Sequence, residues 1–145
     1  MRRTAIVIGI VVVAFLAGYV VGFWPERRER TAAERDLMRV EMELRTADAR
    51  ARAAGLLGLL LTVEDSVSAQ NYGLARGYAA RLFEAASVEQ NSPVDSLREA
   101  INGIVGRRND VTVALSMANP AIAPVLRDME YALRRALGYP MPASA

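Results

Sequence analysis

The chain of 145 residues is long enough for one modest domain, carries a formal net charge of +2, and contains neither cysteine nor histidine. These absences exclude disulfides, thiolate and imidazole metal ligands, and the commonest general base. All 18 basic residues are arginine, which also excludes a lysine Schiff base and a P-loop. The sequence therefore predicts no catalytic, cofactor-binding or metal-binding residues, no cofactor, and no enzymatic activity.

The charges are evenly balanced along the part that follows the first apolar segment. Residues 26–54 carry eight arginines and seven acidic residues, and residues 55–145 carry eight arginines and nine acidic residues. A nucleic-acid-binding protein needs a basic face that neutralises phosphates, and no such face stands out. We therefore expect no nucleic-acid partner.

Residues 1–25 are predicted to form a single transmembrane anchor. The 21 residues from Thr4 to Trp24 carry no charge, and a helix needs about 20 apolar residues to cross the hydrocarbon core. A cleaved signal peptide is the alternative, but its apolar region would be shorter and would end in a better small-residue cleavage site. The lipid bilayer is thus an expected partner. Ala14, Gly18 and Gly22 recur every four residues, a spacing that predicts a dimer contact between membrane helices.

The orientation of this anchor is open. The arginines that follow it outnumber Arg2 and Arg3, which by the positive-inside rule favours a cytoplasmic domain. A basic N-terminus before a first apolar segment is, however, typical of a signal anchor that leaves the domain outside. Arginine without lysine, together with abundant alanine, indicates a GC-rich bacterial genome. We expect a bacterial inner-membrane protein whose domain is periplasmic or extracytoplasmic.

Residues 26–55 are predicted to form a charged coiled-coil stalk. Apolar residues recur there at alternating steps of four and three, which is a heptad seam. The seam consists of Ala33, Leu37, Val40, Leu44, Ala47, Ala51 and Ala54. It predicts either a parallel dimer of the chain with itself, which we favour, or packing of the same stripe onto the chain's own later helices.

Residues 56–138 are predicted to form a small antiparallel helical bundle, followed by a disordered tail over residues 139–145. The apolar spacing predicts helices at about 56–70, 73–89, 93–118 and 120–137, and the first of these continues from the stalk. Ser92-Pro93 and Asn119-Pro120 are typical helix starts, and Gly138 is a typical stop. No segment alternates with period two. The predicted fold class is therefore all-α: an N-terminal transmembrane helix, a coiled-coil stalk and a bundle.

Two resemblances accompany this organisation. The order Tyr72, Ala75, Ala79, Phe83, Ala86 and Pro93 resembles one tetratricopeptide repeat, although the later spacings depart from that motif. The layout of anchor, coiled coil and alanine-rich helical domain is similar to that of bacterial mitofilin-like proteins. Both resemblances imply scaffolding or partner docking rather than catalysis.

Three functions follow as hypotheses. The first is a membrane-tethered scaffold or oligomerisation protein that docks an unknown protein partner. The second is an accessory subunit of a larger membrane complex, which docks through the apolar segment from Leu56 to Val63. The third is a ligand-sensing helical bundle.

Overall fold

The computed structural model is built from helices and describes the side chains of residues 34–140. Residues 2–140 contain five α-helices, one 3₁₀ turn and no strand. The elements are α1 (Arg2–Ser68), α2 (Tyr72–Val88), α3 (Asp95–Gly106), α4 (Arg108–Ser116), the 3₁₀ turn (Pro120–Ile122) and α5 (Ala123–Leu137). The predicted all-α class is confirmed, and α1 runs through the predicted stalk into the helix expected after residue 55.

Several predictions made from the sequence concern residues outside the range 34–140, whose side chains the structure describes. Within residues 34–140, no helix combines the length and the apolar character that crossing a membrane requires. The predicted anchor over residues 4–24 lies outside this range, as do Ala14, Gly18, Gly22 and Ala33. The same holds for residues 141–145 of the predicted tail.

Contacts divide the chain into two compact units, Met1–Glu43 and Leu44–Ala145. The second unit contains the hydrophobic core, to which every helix from α1 to α5 contributes. Its largest fully buried side chains are Leu60, Val63, Leu82, Phe83, Leu97, Ile101, Ile104, Val111, Leu115, Leu126 and Leu133. The predicted boundary between stalk and domain, at residues 55 and 56, therefore falls inside this unit.

Within the second unit, α3 packs against α5 and α2, while α4 packs against α2 and the 3₁₀ turn. The last part of α1 lies in the same core, and an ion pair at 2.8 Å joins Arg52 Nε on α1 to Glu89 Oε1 at the end of α2. This arrangement makes the part of α1 from Ala49 to Ser68 part of the bundle.

Three of the helices end in the same way. One or two residues after each helix end, a residue has a left-handed backbone: Gln70 (φ 56°), Ala118 (φ 52°) and Gly138 (φ 75°). The next residue then donates its N–H to a carbonyl five positions back, as in Asn71 N–H to Ser66 O at 2.8 Å. This is the Schellman motif, which satisfies carbonyl groups that the helix itself leaves without a partner. The stop predicted at Gly138 is confirmed.

The single helix predicted over residues 93–118 is wrong, because the chain breaks at Arg107 into α3 and α4. Gly106 ends α3, and Arg107 adopts φ −90° and ψ 3°, outside the helical range. Glycine lowers the cost of leaving the helix at this point. The break lets α3 pack against α5 and α2 while α4 packs against α2 and the 3₁₀ turn, so two buried faces replace the single stripe that the sequence indicated.

The two predicted helix starts have different outcomes. Asn119 caps the 3₁₀ turn as expected, since its Oδ1 accepts a hydrogen bond from Ala121 N at 3.0 Å. The start predicted at Ser92-Pro93 is displaced, because α3 begins at Asp95 after Val94. Ser92 Oγ instead accepts from Val94 N at 3.4 Å and is itself buried, so it shapes the turn ahead of the helix.

Candidate functional site

The predicted seam lies on the solvent-exposed side of α1. Leu37, Val40 and Leu44 are 65 %, 51 % and 60 % exposed. Ala47 and Ala51 are exposed as well, and Ala54 is half-buried. The other helices of the second unit thus leave Ala47 and Ala51 uncovered. Packing of the same stripe onto the domain, which was the second interpretation, is therefore wrong for Ala47 and Ala51.

A different stripe of α1 packs into the core. Its residues are Ala49, Ala53, Leu56, Leu60, Val63 and Val67, which also alternate in steps of four and three and are all buried. At 3.6 residues per turn, this core stripe and the predicted seam lie on roughly opposite sides of the helix. Sequence reasoning missed it because Ala49 and Ala53 each adjoin a charged residue in a segment rich in arginine. Extending the leucine spacing of residues 56–63 towards the N-terminus reveals both alanines.

The helix therefore has two apolar faces with separate roles. The core stripe holds α1 against the bundle, and the seam faces outwards. Exposed Met38 and Met42 lie on the other side of α1 from Leu37, Val40 and Leu44 by the same helical spacing.

A pair of carboxyl groups joins α1 to α5. Glu130 on α5 is buried, and its Oε1 accepts a hydrogen bond from Arg134 Nε at 2.5 Å. Glu64 on α1 is partly buried, and its Oε1 has no hydrogen-bond partner. The sequence alone does not reveal the contact between Glu64 and Glu130, because the two residues lie on distant segments of the chain.

This environment raises the pKa of Glu64 from its ordinary value of 4.5 to about 7. Burial is the largest cause, followed by the negative charge of Glu130 and a hydrogen bond to that carboxyl group. The positive charge of Arg127 opposes the shift, and Asp65 adds slightly to it. Between about pH 4.5 and pH 7, Glu64 in the folded chain therefore keeps a proton that the unfolded chain releases.

This shift predicts a pH-dependent stability. A raised carboxyl pKa stabilises the folded state below about pH 4.5, and this contribution is lost as the pH rises to about 7. We expect Glu64→Gln to remove this decrease in the free energy of unfolding between pH 4.5 and pH 7. At pH 8 the variant should be more stable than the natural chain by on the order of 1–2 kcal/mol. Urea unfolding followed by circular dichroism at pH 5 and pH 8 measures the effect. If the free energy of unfolding of Glu64→Gln depends on pH as strongly as that of the natural chain, Glu64 is not the group responsible.

Two grooves lie between the helices of the second unit. One, of about 420 Å³, is lined by residues of α3 and α5, and the other, of about 510 Å³, is lined by residues of α2 and α4. Ser96 lies in the first groove, where its Oγ donates to Ala136 O at 3.5 Å, and no histidine, cysteine or lysine exists to activate it. Residues 34–140 contain no group of three acidic side chains placed to hold a metal ion.

The chain was also compared with known proteins. No model of a known protein family, no curated protein sequence and no solved structure matches it. The resemblances to a tetratricopeptide repeat and to mitofilin-like proteins therefore stay predictions. In the structure, Ala75, Ala79, Phe83 and Ala86 form the buried face of α2.

Proposed function

We propose that the chain is a membrane-tethered helical scaffold that docks a partner helix through the seam of α1. The observation that carries this proposal is the exposure of Leu37, Val40 and Leu44 on the side of α1 opposite to the core stripe. Single exposed apolar residues are common on protein surfaces, but large ones at heptad spacing are typical of helix pairing. The folded domain does not need them, so their spacing favours a binding role.

The tether is supported by the sequence alone. The uncharged segment from Thr4 to Trp24 has the length of a membrane-spanning helix, and Ala14, Gly18 and Gly22 would allow a second helix to approach it closely. We place the protein in a bacterial inner membrane with its domain outside the cytoplasm. In this position the stalk extends from the bilayer and presents the seam to other proteins.

The accessory-subunit hypothesis loses the surface on which it depended. Leu56, Leu57, Leu60 and Val63 are all buried in the chain's own core. They are the part of α1 that holds the bundle together, and they are not available to another subunit while the domain is folded. The seam is therefore the better candidate for docking.

Cysteine labelling in native membranes tests the proposal, because the natural chain has no cysteine. Leu44→Cys places a thiol on the seam, and Val88→Cys places one at a site that is 77 % exposed on another helix. We expect maleimide to label both variants equally in the purified chain. In native membranes we expect at least about fivefold slower labelling of Leu44→Cys, since thiol labelling depends on access.

The labelling has two internal controls. Val88→Cys should react at the same rate in membranes as in the purified chain, and a membrane-impermeant maleimide should reach it from the extracytoplasmic side. Equal labelling of Leu44→Cys in both settings would mean that nothing occupies the seam. Recovery of both variants in the soluble fraction would contradict the membrane tether.

A further inference from the structure

The side chains that flank the seam are mostly acidic. In the heptad that places Leu37 and Leu44 at position a and Val40 at position d, positions e and g lie on either side of the apolar stripe. They are occupied by Glu34, Asp36, Glu41, Glu43 and Asp48, followed by Arg50, and all of these side chains are exposed. Glu34, Asp36, Glu43 and Asp48 thus border the seam with negative charge, and the first arginine at an e or g position of this segment is Arg50.

The arginines of this segment lie elsewhere on the helix. Arg35, Arg39, Arg45 and Arg52 occupy the outer positions b, c and f, away from the seam. Arg39 contacts Asp36 at 3.6 Å, but their side chains remain 70 % and 68 % exposed. An ion pair this exposed contributes little to stability.

A second copy of this chain would fit the seam poorly. In a parallel pair, position g faces position e of the following heptad, so Asp36 would face Glu41 and Glu43 would face Asp48. In an antiparallel pair, g faces g and e faces e, which again places carboxylates together over most of the seam. Like charges at such positions destabilise a helix pair and select other partners.

The apolar residues of the seam lead to the same conclusion. Ala47, Ala51 and Ala54 occupy its second half, and an in-register parallel pair would place each alanine opposite its own copy. Alanine pairs remove little apolar area from water, at about 25 cal/mol per Å². Large side chains on a different helix would fill the space that the alanines leave. The seam is therefore complementary to another sequence rather than to itself.

We propose that the seam binds a helix of a different protein, with large aliphatic side chains at its contact positions and lysine or arginine beside them. This inference rests on the proposed function of the seam as a docking surface, and it replaces the predicted parallel self-dimer as its occupant. The partner's basic positions would face the exposed carboxylates of α1. Its aliphatic positions would cover Leu37, Val40 and Leu44.

Two synthetic helices of four heptads test the inference against the full chain in neutral detergent. Both carry leucine at a and d, and they differ only in having lysine or glutamate at e and g. We expect the lysine helix to bind at least about tenfold more tightly than the glutamate helix, with an affinity that falls as salt is added. Leu44→Asp should abolish binding of the lysine helix.

Charge reversal on the chain provides the matched variant. Asp36→Arg combined with Glu43→Arg should weaken binding of the lysine helix and strengthen binding of the glutamate helix, each by about tenfold. The same double variant should gain self-association in a sedimentation experiment, because Arg at these positions would face Glu41 and Asp48 of a second copy. Arg35→Glu, on the outer side of α1, should leave the preference between the two helices unchanged.

The outcomes separate the inference from the proposed function. If Leu44→Cys forms disulfide-linked dimers in native membranes much faster than Val88→Cys, a second copy occupies the seam. The inference is then wrong, while the docking function stands. If the glutamate helix binds as tightly as the lysine helix, the charge complementarity is wrong. If neither helix binds and Leu44→Cys is freely labelled in membranes, both the inference and the proposed function fail.

Discussion

The substitution Leu60→Asp is expected to unfold the second unit, whereas Leu44→Asp should leave it folded. Leu60 is fully buried in the core stripe of α1, while Leu44 is 60 % exposed on the seam. Leu60→Asp loses the packing of a core leucine, which is worth about 2–5 kcal/mol, and adds the cost of a buried unpaired charge. The total approaches or exceeds the 5–15 kcal/mol by which domains are usually stable.

Far-UV circular dichroism with urea unfolding measures this contrast. We expect Leu60→Asp to lose most of its helical signal without denaturant. We expect Leu44→Asp to retain the signal, with a change in the free energy of unfolding of less than about 1 kcal/mol. If Leu44→Asp unfolds the domain as Leu60→Asp does, the seam is part of the core and the assignment of two faces to α1 is wrong.

The starts and ends of the helices were predictable where a residue type has one strong conformational or capping preference. Gly138 marks a left-handed helix end, and Asn119 marks a cap, and both act as expected. Gln70 and Ala118 form the same left-handed helix end without glycine, and their residue types do not predict this conformation. The break at Arg107 was also missed, because it depends on tertiary packing: both helices contact α2, but α3 also packs against α5 and α4 against the 3₁₀ turn.

The heptad spacing of the seam predicts an apolar stripe on α1, but it does not predict that this stripe faces away from the core. Two heptad stripes run along α1, and spacing alone does not decide which one faces the domain. Leu56, Leu60 and Val63 do decide it, because they bury more apolar area than the alanines of the seam. The carboxyl pair of Glu64 and Glu130 was beyond sequence reasoning, since it depends on how α5 returns to α1.

Loss of Arg134 is expected to cost about 3 kcal/mol of stability at pH 8, by leaving Glu130 buried without its ionic partner. Arg134 Nε lies 2.5 Å from Glu130 Oε1, and the Glu130 side chain is only 8 % exposed. Arg134→Met keeps the length of the aliphatic stem but removes the charge and the hydrogen-bond donors. The cost should fall at pH 5, where Glu64 is protonated and the negative charge facing Glu130 is removed.

A double variant separates the loss of the ion pair from the loss of packing. Arg134→Met combined with Glu130→Leu removes both charges, and it should recover to within about 1 kcal/mol of the natural chain, because an apolar pair of similar volume can replace a buried ion pair. Arg135→Met, on the adjacent exposed arginine, should change the free energy of unfolding by less than about 0.5 kcal/mol. Urea unfolding of the natural chain and these three variants at pH 8 measures the differences. A double variant as unstable as Arg134→Met would show that the arginine acts through packing, and that the charge on Glu130 is tolerated without it.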